Sequence, residues 1–362
     1  MNLNIRIVII SVVFFLGQVI FAQDKKQIAL DKGLAAIKLM DEGKLDESIK
    51  LLEEAEKLDP DRFDFPYEMA YAYYMKTDYK EAAKILEKNM NHKNVTDRLF
   101  QLLGNSYDNI GKSEKAIEIY ETGLKKFPES GNIYLELGVI QMGKKDYNSA
   151  INYFEKGIEV DPKFSSNYYW ATKIYCSSTE EVWGMIYGEI FMNIERNTKR
   201  TAEISKLLFD TYKSEIKFTS DSSFSVSFSK NATMNADDLK DPSKIKLPFG
   251  IGLYEPILML SMLSVKSIDI NSLDNIRSNF VENYFQKDHY KTYPNILFSY
   301  QNQIKKAGYM DAYNHWLLMK GDEDGFSKWQ LSNKEKWSNF IKWFGDNKLI
   351  VDNTNRFFRG QY

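Results

Sequence analysis

Asp97–Ser130 reads DRLFQLLGNSYDNIGKSEKAIEIYETGLKKFPES, and Gly131–Phe164 follows as GNIYLELGVIQMGKKDYNSAINYFEKGIEVDPKF. Laid one above the other, the two segments agree wherever side-chain size matters. Phe100 and Tyr134 stand at the fourth place, Leu103 and Leu137 at the seventh, Gly104 and Gly138 at the eighth. Further on, Ala116 and Ala150, Tyr120 and Phe154, Gly123 and Gly157, and Pro128 and Pro162 coincide. The offset is 34 residues each time, a period that marks stacked helical hairpins. Small residues let two helices approach closely, and the large ones fill the space that remains. The proline stops the second helix and sets the turn into the next unit.

The register extends backwards without insertion. From Phe63 it gives Met69, Ala70, Tyr73, Tyr79, Ala82 and Leu86; from Ala29 it gives Ala35, Ala36, Leu39, Leu45, Ser48, Leu52, Ala55 and Pro60. Over Ala29–Phe164 the chain resembles the tetratricopeptide-repeat family. That resemblance implies a mainly α fold, a helix-turn-helix solenoid with repeats at about 29–62, 63–96, 97–130 and 131–164. It also implies a scaffold for protein–protein interaction rather than an enzyme. Beyond Phe164 the pattern decays into a degenerate repeat over 165–198. Tyr168, Ala171 and Tyr175 keep its first helix, Ser178-Thr179-Glu180-Glu181 predicts a capping box for its second, and Gly188 stands where an aromatic belongs. Ile204, Leu207, Leu208, Thr211, Tyr212 and Ile216 share one helical face, so 201–216 is expected to be a helix capping a 23–200 array.

In the family, places 2, 5, 9, 12 and 13 tend to face a concave groove. Carried over, these are Asp64, Tyr67, Tyr71, Tyr74 and Met75 in the second repeat, and Arg98, Gln101, Asn105, Asp108 and Asn109 in the third. Asn132, Leu135, Val139, Met142 and Gly143 follow in the fourth, and Tyr169 continues into the fifth. The expected partner-binding residues are therefore Tyr67, Tyr71, Tyr74, Met75, Arg98, Gln101, Asn105, Leu135, Val139 and Tyr169. Some members grip a C-terminal carboxylate with Lys and Asn, then Lys and Arg two repeats later. Gly33 and Ile37 replace the first pair, and only Arg98 survives from the second, with Leu102 beside it. The resemblance thus implies a protein or peptide partner held by apolar anchors and hydrogen bonds, not a carboxylate clamp.

Residues 217–362 change texture, and are expected to form a mostly helical α+β module with a small hairpin. Phe224–Ser229 alternates like a half-buried strand, with Ile216 and Phe218 as its partner. Ile257–Leu263 reads as a buried helix; Ile276, Phe280, Val281, Tyr284 and Phe285 make an amphipathic stripe. Ser332-Asn333-Lys334-Glu335 predicts a cap for a helix presenting Trp337, Phe340, Ile341 and Phe344. Tyr309, Ala312 and Trp316 echo the repeat spacing of Tyr147, Ala150 and Phe154.

No motif for catalysis, cofactor or metal emerges. Gly104 and Gly111 have six residues between them where a phosphate loop needs four, and both are repeat places. Gly250-Ile251-Gly252 lacks its third glycine, and Asp322-Glu323-Asp324-Gly325 lacks the later ligands of a calcium loop. His92, His289 and His315 have no metal-ligand spacing; Asp311 and His315 are expected to pair on one helix face. Cys176, the single cysteine, can form no internal disulfide and is expected to be a packed hydrophobe. The expectation is no enzyme, cofactor or metal; the alternative is an envelope enzyme with a scattered active site in the C-terminal module.

A net charge of −2 argues against nucleic acid. Arg6, the apolar run Ile7–Ile20 and the polar switch after Ala22 follow the order of a secretory signal peptide over 1–22. The apolar core is short for a membrane span, so the mature chain is expected to be exported, periplasmic or extracellular, without an integral span. Oligomeric state is not legible.

Overall fold

The computed structural model describes residues 23–220, 223–230, 247–263 and 265–362. The expected signal peptide 1–22 and the polar loop Asn231–Lys246 lie outside the described residues. The chain divides into two compact units, one ending at Leu137 and one covering Gly138–Tyr362.

The first unit is built of antiparallel helix pairs: α1 (23–41) with α2 (Leu45–Leu58), α3 (Asp64–Met75) with α4 (Tyr79–Asn89), and α5 (Asp97–Asn109) with α6 (Ser113–Lys126). The start of α7 (Gly131–Gly143) follows. Ala29, Ala36, Leu52, Ala55 and Ala72 are fully buried beside Phe65 and Met69, so small residues mark the closest approaches. A Cβ on Gly104 would lie 2.1 Å from the Tyr120 ring, and one on Gly123 2.7 Å from Phe100 and Ile133. The eighth place is small because the ring from place 24 lies on its backbone.

Each hairpin turns through one left-handed residue at place 15. Gly43, Thr77 and Gly111 have φ of 76°, 61° and 78°. The following amide then reaches back five residues, Lys44 to Leu39, Asp78 to Tyr73 and Lys112 to Tyr107, at 2.8–2.9 Å. This αL termination satisfies a helix-end carbonyl.

The second unit continues the pattern with the rest of α7, α8 (Tyr147–Val160), α9 (Ser165–Tyr175), α10 (Glu181–Ile194) and α11 (Lys199–Glu215). Here Phe154 lies over Gly138, 2.3 Å from where its Cβ would be, and Lys145 takes the left-handed place with φ 61°. α10 is buried almost all round. Gly188 replaces an aromatic because α11 closes in: a Cβ there would meet Leu208 and Thr172 at 2.9 Å. The expected capping box at Ser178 does not form. Ser178 Oγ donates to Tyr175 O (2.8 Å) and accepts from Glu180 N–H (3.0 Å), making a local turn instead. Capping boxes occur instead at Thr198/Thr201 of α11 and at Asp269/Ser272, the start of α13 (Ile270–Gln286).

Strands β1 (Ile216–Ser220) and β2 (Ser223–Val226) form the expected antiparallel hairpin, pairing Ile216 with Val226 and Phe218 with Phe224. A π-helical turn (Gly250–Tyr254) leads into α12 (Glu255–Ser261). Ile257 and Leu258 are buried, but Met259, Leu260 and Leu263 are exposed, so this segment is one-sided rather than sheathed. The remaining helices are α14 (His289–Thr292), α15 (Ile296–Lys306), α16 (Met310–Leu318), α17 (Glu323–Ser332) and α18 (Lys334–Asp346). α15 and α16 make a repeat-like hairpin through Gly308 at φ 82°, with a three-residue turn as in the repeats and the same reach back from Tyr309 N–H to Ile304 O (3.1 Å). Asn333 does not cap α18; its amide donates to Trp329 O at 2.8 Å. On α18 Phe340 and Phe344 are buried while Ile341 is exposed. The C-terminal segment returns to the repeats: Arg359 grips Glu155 on α8 (2.8–3.1 Å), and its N–H donates to Tyr187 Oη on α10 (2.8 Å).

Candidate functional site

In the first unit, α3, α5 and the start of α7 bring the expected residues onto one connected face. Tyr71 and Met75 on α3 are 41% and 42% exposed. Ile37 on α1, at the same repeat place as Tyr71, is also exposed. Tyr67 is half-buried, and desolvation pushes its phenol up to about 12. Tyr74 sits edge-on to Tyr79, with ring centroids 5.0 Å apart, and its hydroxyl accepts from Asn109 Nδ2 at 3.1 Å.

On α5, Arg98 is exposed, and its charge acts on Tyr67 and Glu68. Gln101 and Asn105 are already engaged. Both amides donate to the same oxygen of Glu136, Gln101 Nε2 at 2.8 Å and Asn105 Nδ2 at 3.3 Å, while Tyr120 Oη donates to Asn105 Oδ1. Asn109 Nδ2 also reaches Asn105 O at 2.8 Å, so a polar chain runs from Tyr74 across α5 to Glu136. Desolvation raises the Glu136 carboxyl above its ordinary value, against the two amide hydrogen bonds. Glu68 is raised for the same first reason, with Asp64 adding to it and Arg98 opposing.

Glu136 was not among the expected residues. It stands at place 6, where the first and third repeats carry Leu34 and Leu102 and the second carries Glu68. A column that alternates leucine with glutamate is the signal that would have found it. Leu135 beside it is half-buried.

In the second unit, Val139 on α7 is exposed. Tyr169 differs from expectation. It is 7% exposed, its hydroxyl donates to Glu203 at 2.6 Å, and its ring packs on Trp170 and Phe191. The glutamate comes from α11, which closes over the side chain and leaves no open wall there.

The second unit also holds a buried polar centre drawn from five helices. Arg277 Nη2 meets Glu189 Oε1 at 2.7 Å, with both side chains buried. Arg277 also donates to Asn314 Oδ1 (2.7 Å) and Tyr212 Oη (3.0 Å). Gln301 (2.6 Å) and Tyr313 (2.8 Å) donate to the same Glu189 oxygen. The cavity beside it, walled by Met185, Tyr254, Leu258 and Phe298, measures 20 Å³. That is room for about one water molecule. These groups satisfy one another and leave no space for a substrate.

The other chemical candidates are likewise absorbed. His315 stacks on Trp329 at 4.2 Å and hydrogen-bonds the Asp311 carbonyl (2.8 Å), while the Asp311 carboxylate pairs with Lys336 (2.7 Å). The expected Asp311–His315 side-chain pair is therefore replaced, because the ring nitrogen takes the nearer backbone oxygen. Asp322 caps α17 through Gly325 N–H at 2.9 Å. The Cys176 thiol is enclosed and pushed up to about 12 by burial, with the Thr211 hydroxyl acting the other way. Among the described residues no group of three or more His, Cys, Asp or Glu is placed to hold a metal, and no helix is long and apolar enough to cross a membrane.

Tetratricopeptide-repeat family profiles match residues 39–104, 97–125 and 131–164. No curated protein matches in sequence. Among solved structures, PilF of Pseudomonas aeruginosa is 16% identical, with 53% of this chain and 86% of that one covered and a TM-score of 0.45. MamA of Desulfovibrio magneticus is 16% identical, covering 47% and 93%, TM-score 0.36. YrrB, described as a TPR protein with an unusual peptide-binding site, is 18% identical, covering 49% and 92%, TM-score 0.34. Between residues 39 and 164 this chain carries tetratricopeptide repeats, a helical scaffold for protein–protein interaction.

Proposed function

We propose that the protein is an exported scaffold that holds a segment of a partner protein on the shared face of α3, α5 and the start of α7. The observation that carries this reading is the exposed pair Tyr71 and Met75 beside the amide-rich ladder of Gln101, Asn105 and Asn109. Exposed aromatic and thioether side chains supply an apolar anchor, and fixed amides supply orientation. Tyr67, Tyr74, Arg98 and Leu135 complete the surface. With it we propose the division into a 23–200 array, a 201–216 cap and a 217–362 module, and removal of residues 1–22 during export to the periplasm or beyond. Intact mass of protein recovered from its native envelope tests the export step; retention of Met1 would end it.

The test of the face is a photo-crosslinking residue placed at Tyr71 and, as control, at the exposed Lys84 on α4. The double variant Tyr71→Ala, Met75→Ala should keep its melting behaviour and lose about 2–4 kcal/mol of partner affinity, the scale of interface hot spots. Equal capture from both positions, or undiminished binding by the folded double variant, refutes this assignment.

A further inference from the structure

Glu136 is a carboxylate without a counter-ion. Its Oε1 is fixed by Gln101 and Asn105, both neutral amides. No Lys, Arg or His among the described residues forms an ion pair with it; the charge that acts on it is the like-signed Asp108. Four cations of the first unit pair elsewhere: Lys32 with Glu54, Arg62 with Asp64, Lys76 with Asp46 and Lys115 with Glu87. A half-buried carboxylate is ordinarily matched by a cation, because its desolvation is otherwise uncompensated. Here two amides hold it in a defined orientation instead, which is how a recognition carboxylate is kept ready for a donor.

The neighbourhood says what that donor is attached to. The polar chain through Asn105 and Asn109 leads from Glu136 to Tyr74, one helical step from the exposed Tyr71 and Met75. Glu68 adds a second carboxylate on the same face, opposed by the charge of Arg98. The surface is therefore apolar at one end and acidic on its floor. Resting on the proposed use of this face, we infer that Glu136 receives a Lys or Arg side chain of the bound partner segment, with an apolar residue of that segment lying on Tyr71 and Met75. An acidic or C-terminal-carboxylate ligand is the wrong charge for this floor.

The test is a displayed random library of 12-residue peptides, selected on the purified protein and, in parallel, on Glu136→Gln and on Tyr71→Ala, Met75→Ala. The wild-type selection should enrich Lys or Arg near an apolar residue. Glu136→Gln should still yield apolar-containing peptides without the basic preference. An enriched peptide resynthesised with its Lys or Arg replaced by norleucine should bind the unaltered protein about tenfold more weakly, equivalent to about 1.4 kcal/mol; this arm needs no protein variant to fold. If basic residues are not enriched, or the preference survives in Glu136→Gln, the inference fails while the face remains valid. If enriched peptides bind the Tyr71/Met75 variant undiminished, the face itself is wrong and the inference falls with it. A selection that enriches nothing counts against both.

Discussion

Arg277 is the residue whose removal discriminates a structural polar centre from a functional one. Its guanidinium reaches Glu189, Asn314 and Tyr212 at 2.7, 2.7 and 3.0 Å, and the ion pair is buried on both sides. Arg277→Met keeps the apolar stem and leaves Glu189 charged, with only Gln301 and Tyr313 to solvate it. Breaking a buried pair in this way costs about 3–5 kcal/mol. The second unit has 225 residues, counting from Gly138 to Tyr362. At that size each kcal/mol moves the midpoint by about 2–4 °C, so its melting should fall by about 6–20 °C. The double variant Glu189→Leu, Arg277→Met removes both charges and should recover more than half of the loss, since an apolar pair of similar volume often replaces an ion pair without penalty. Recovery will be incomplete because Asn314, Tyr212, Gln301 and Tyr313 each lose a partner. Calorimetric melts of wild type, both single variants and the double give the coupling directly. If Arg277→Met melts within about 2 °C of wild type, or the double variant is no better than the sum of the singles, the centre is not a lock and a functional role returns.

Thr77→Gly and Lys145→Gly should each stabilise the array by about 0.5–1 kcal/mol in urea unfolding, because both residues occupy left-handed backbone that disfavours a Cβ; destabilisation by either would contradict the turn geometry. Glu136→Gln should gain stability relative to wild type as pH rises. A carboxyl whose folded value lies above its ordinary 4.5 binds its proton more tightly when folded, so wild-type stability falls as pH climbs from about 4.5 through the raised value. The difference in urea midpoint between the two proteins, followed from pH 4 to 8, should therefore widen in favour of the variant, and a constant difference would refute the desolvation argument.

The repeats were legible because their code is steric and local. Gly104 with Tyr120 and Gly138 with Phe154 are the same pair one period apart, and each makes sense inside its own hairpin. The hairpin β1–β2 was legible for the same reason, its alternation being fixed by neighbours in sequence. The capping signals at Ser178 and Asn333 were not, although the motifs were present. α10 begins where Val182 N–H finds the Phe228 carbonyl at 2.9 Å, and where the Glu180 carboxylate accepts from Ser229 and Lys230. Those partners lie about 50 residues away, so the start of that helix is a tertiary decision that no short motif contains.

The same reasoning separates the two polar networks. The centre in the second unit joins Glu189, Tyr212, Arg277, Gln301, Tyr313 and Asn314 at irregular separations, and nothing in the sequence announces it. The ladder on the first unit follows the repeat. Gln101 and Asn105 stand 35 and 31 residues before Glu136, Tyr74 stands 35 before Asn109, and Asp97 stands 33 and 35 before Ser130 and Asn132. Tyr169 and Glu203, 34 apart, repeat the relation in the second unit. Stacking places each repeat's first helix beside the next, so residues about one period apart become neighbours. Reading single columns of the repeat finds the small and large places but misses these pairs. Reading adjacent columns across successive repeats finds an acid at place 6 beneath amides at places 5 and 9 of the preceding repeat. That arrangement makes Glu136 a chemical feature of this chain rather than a property of the fold.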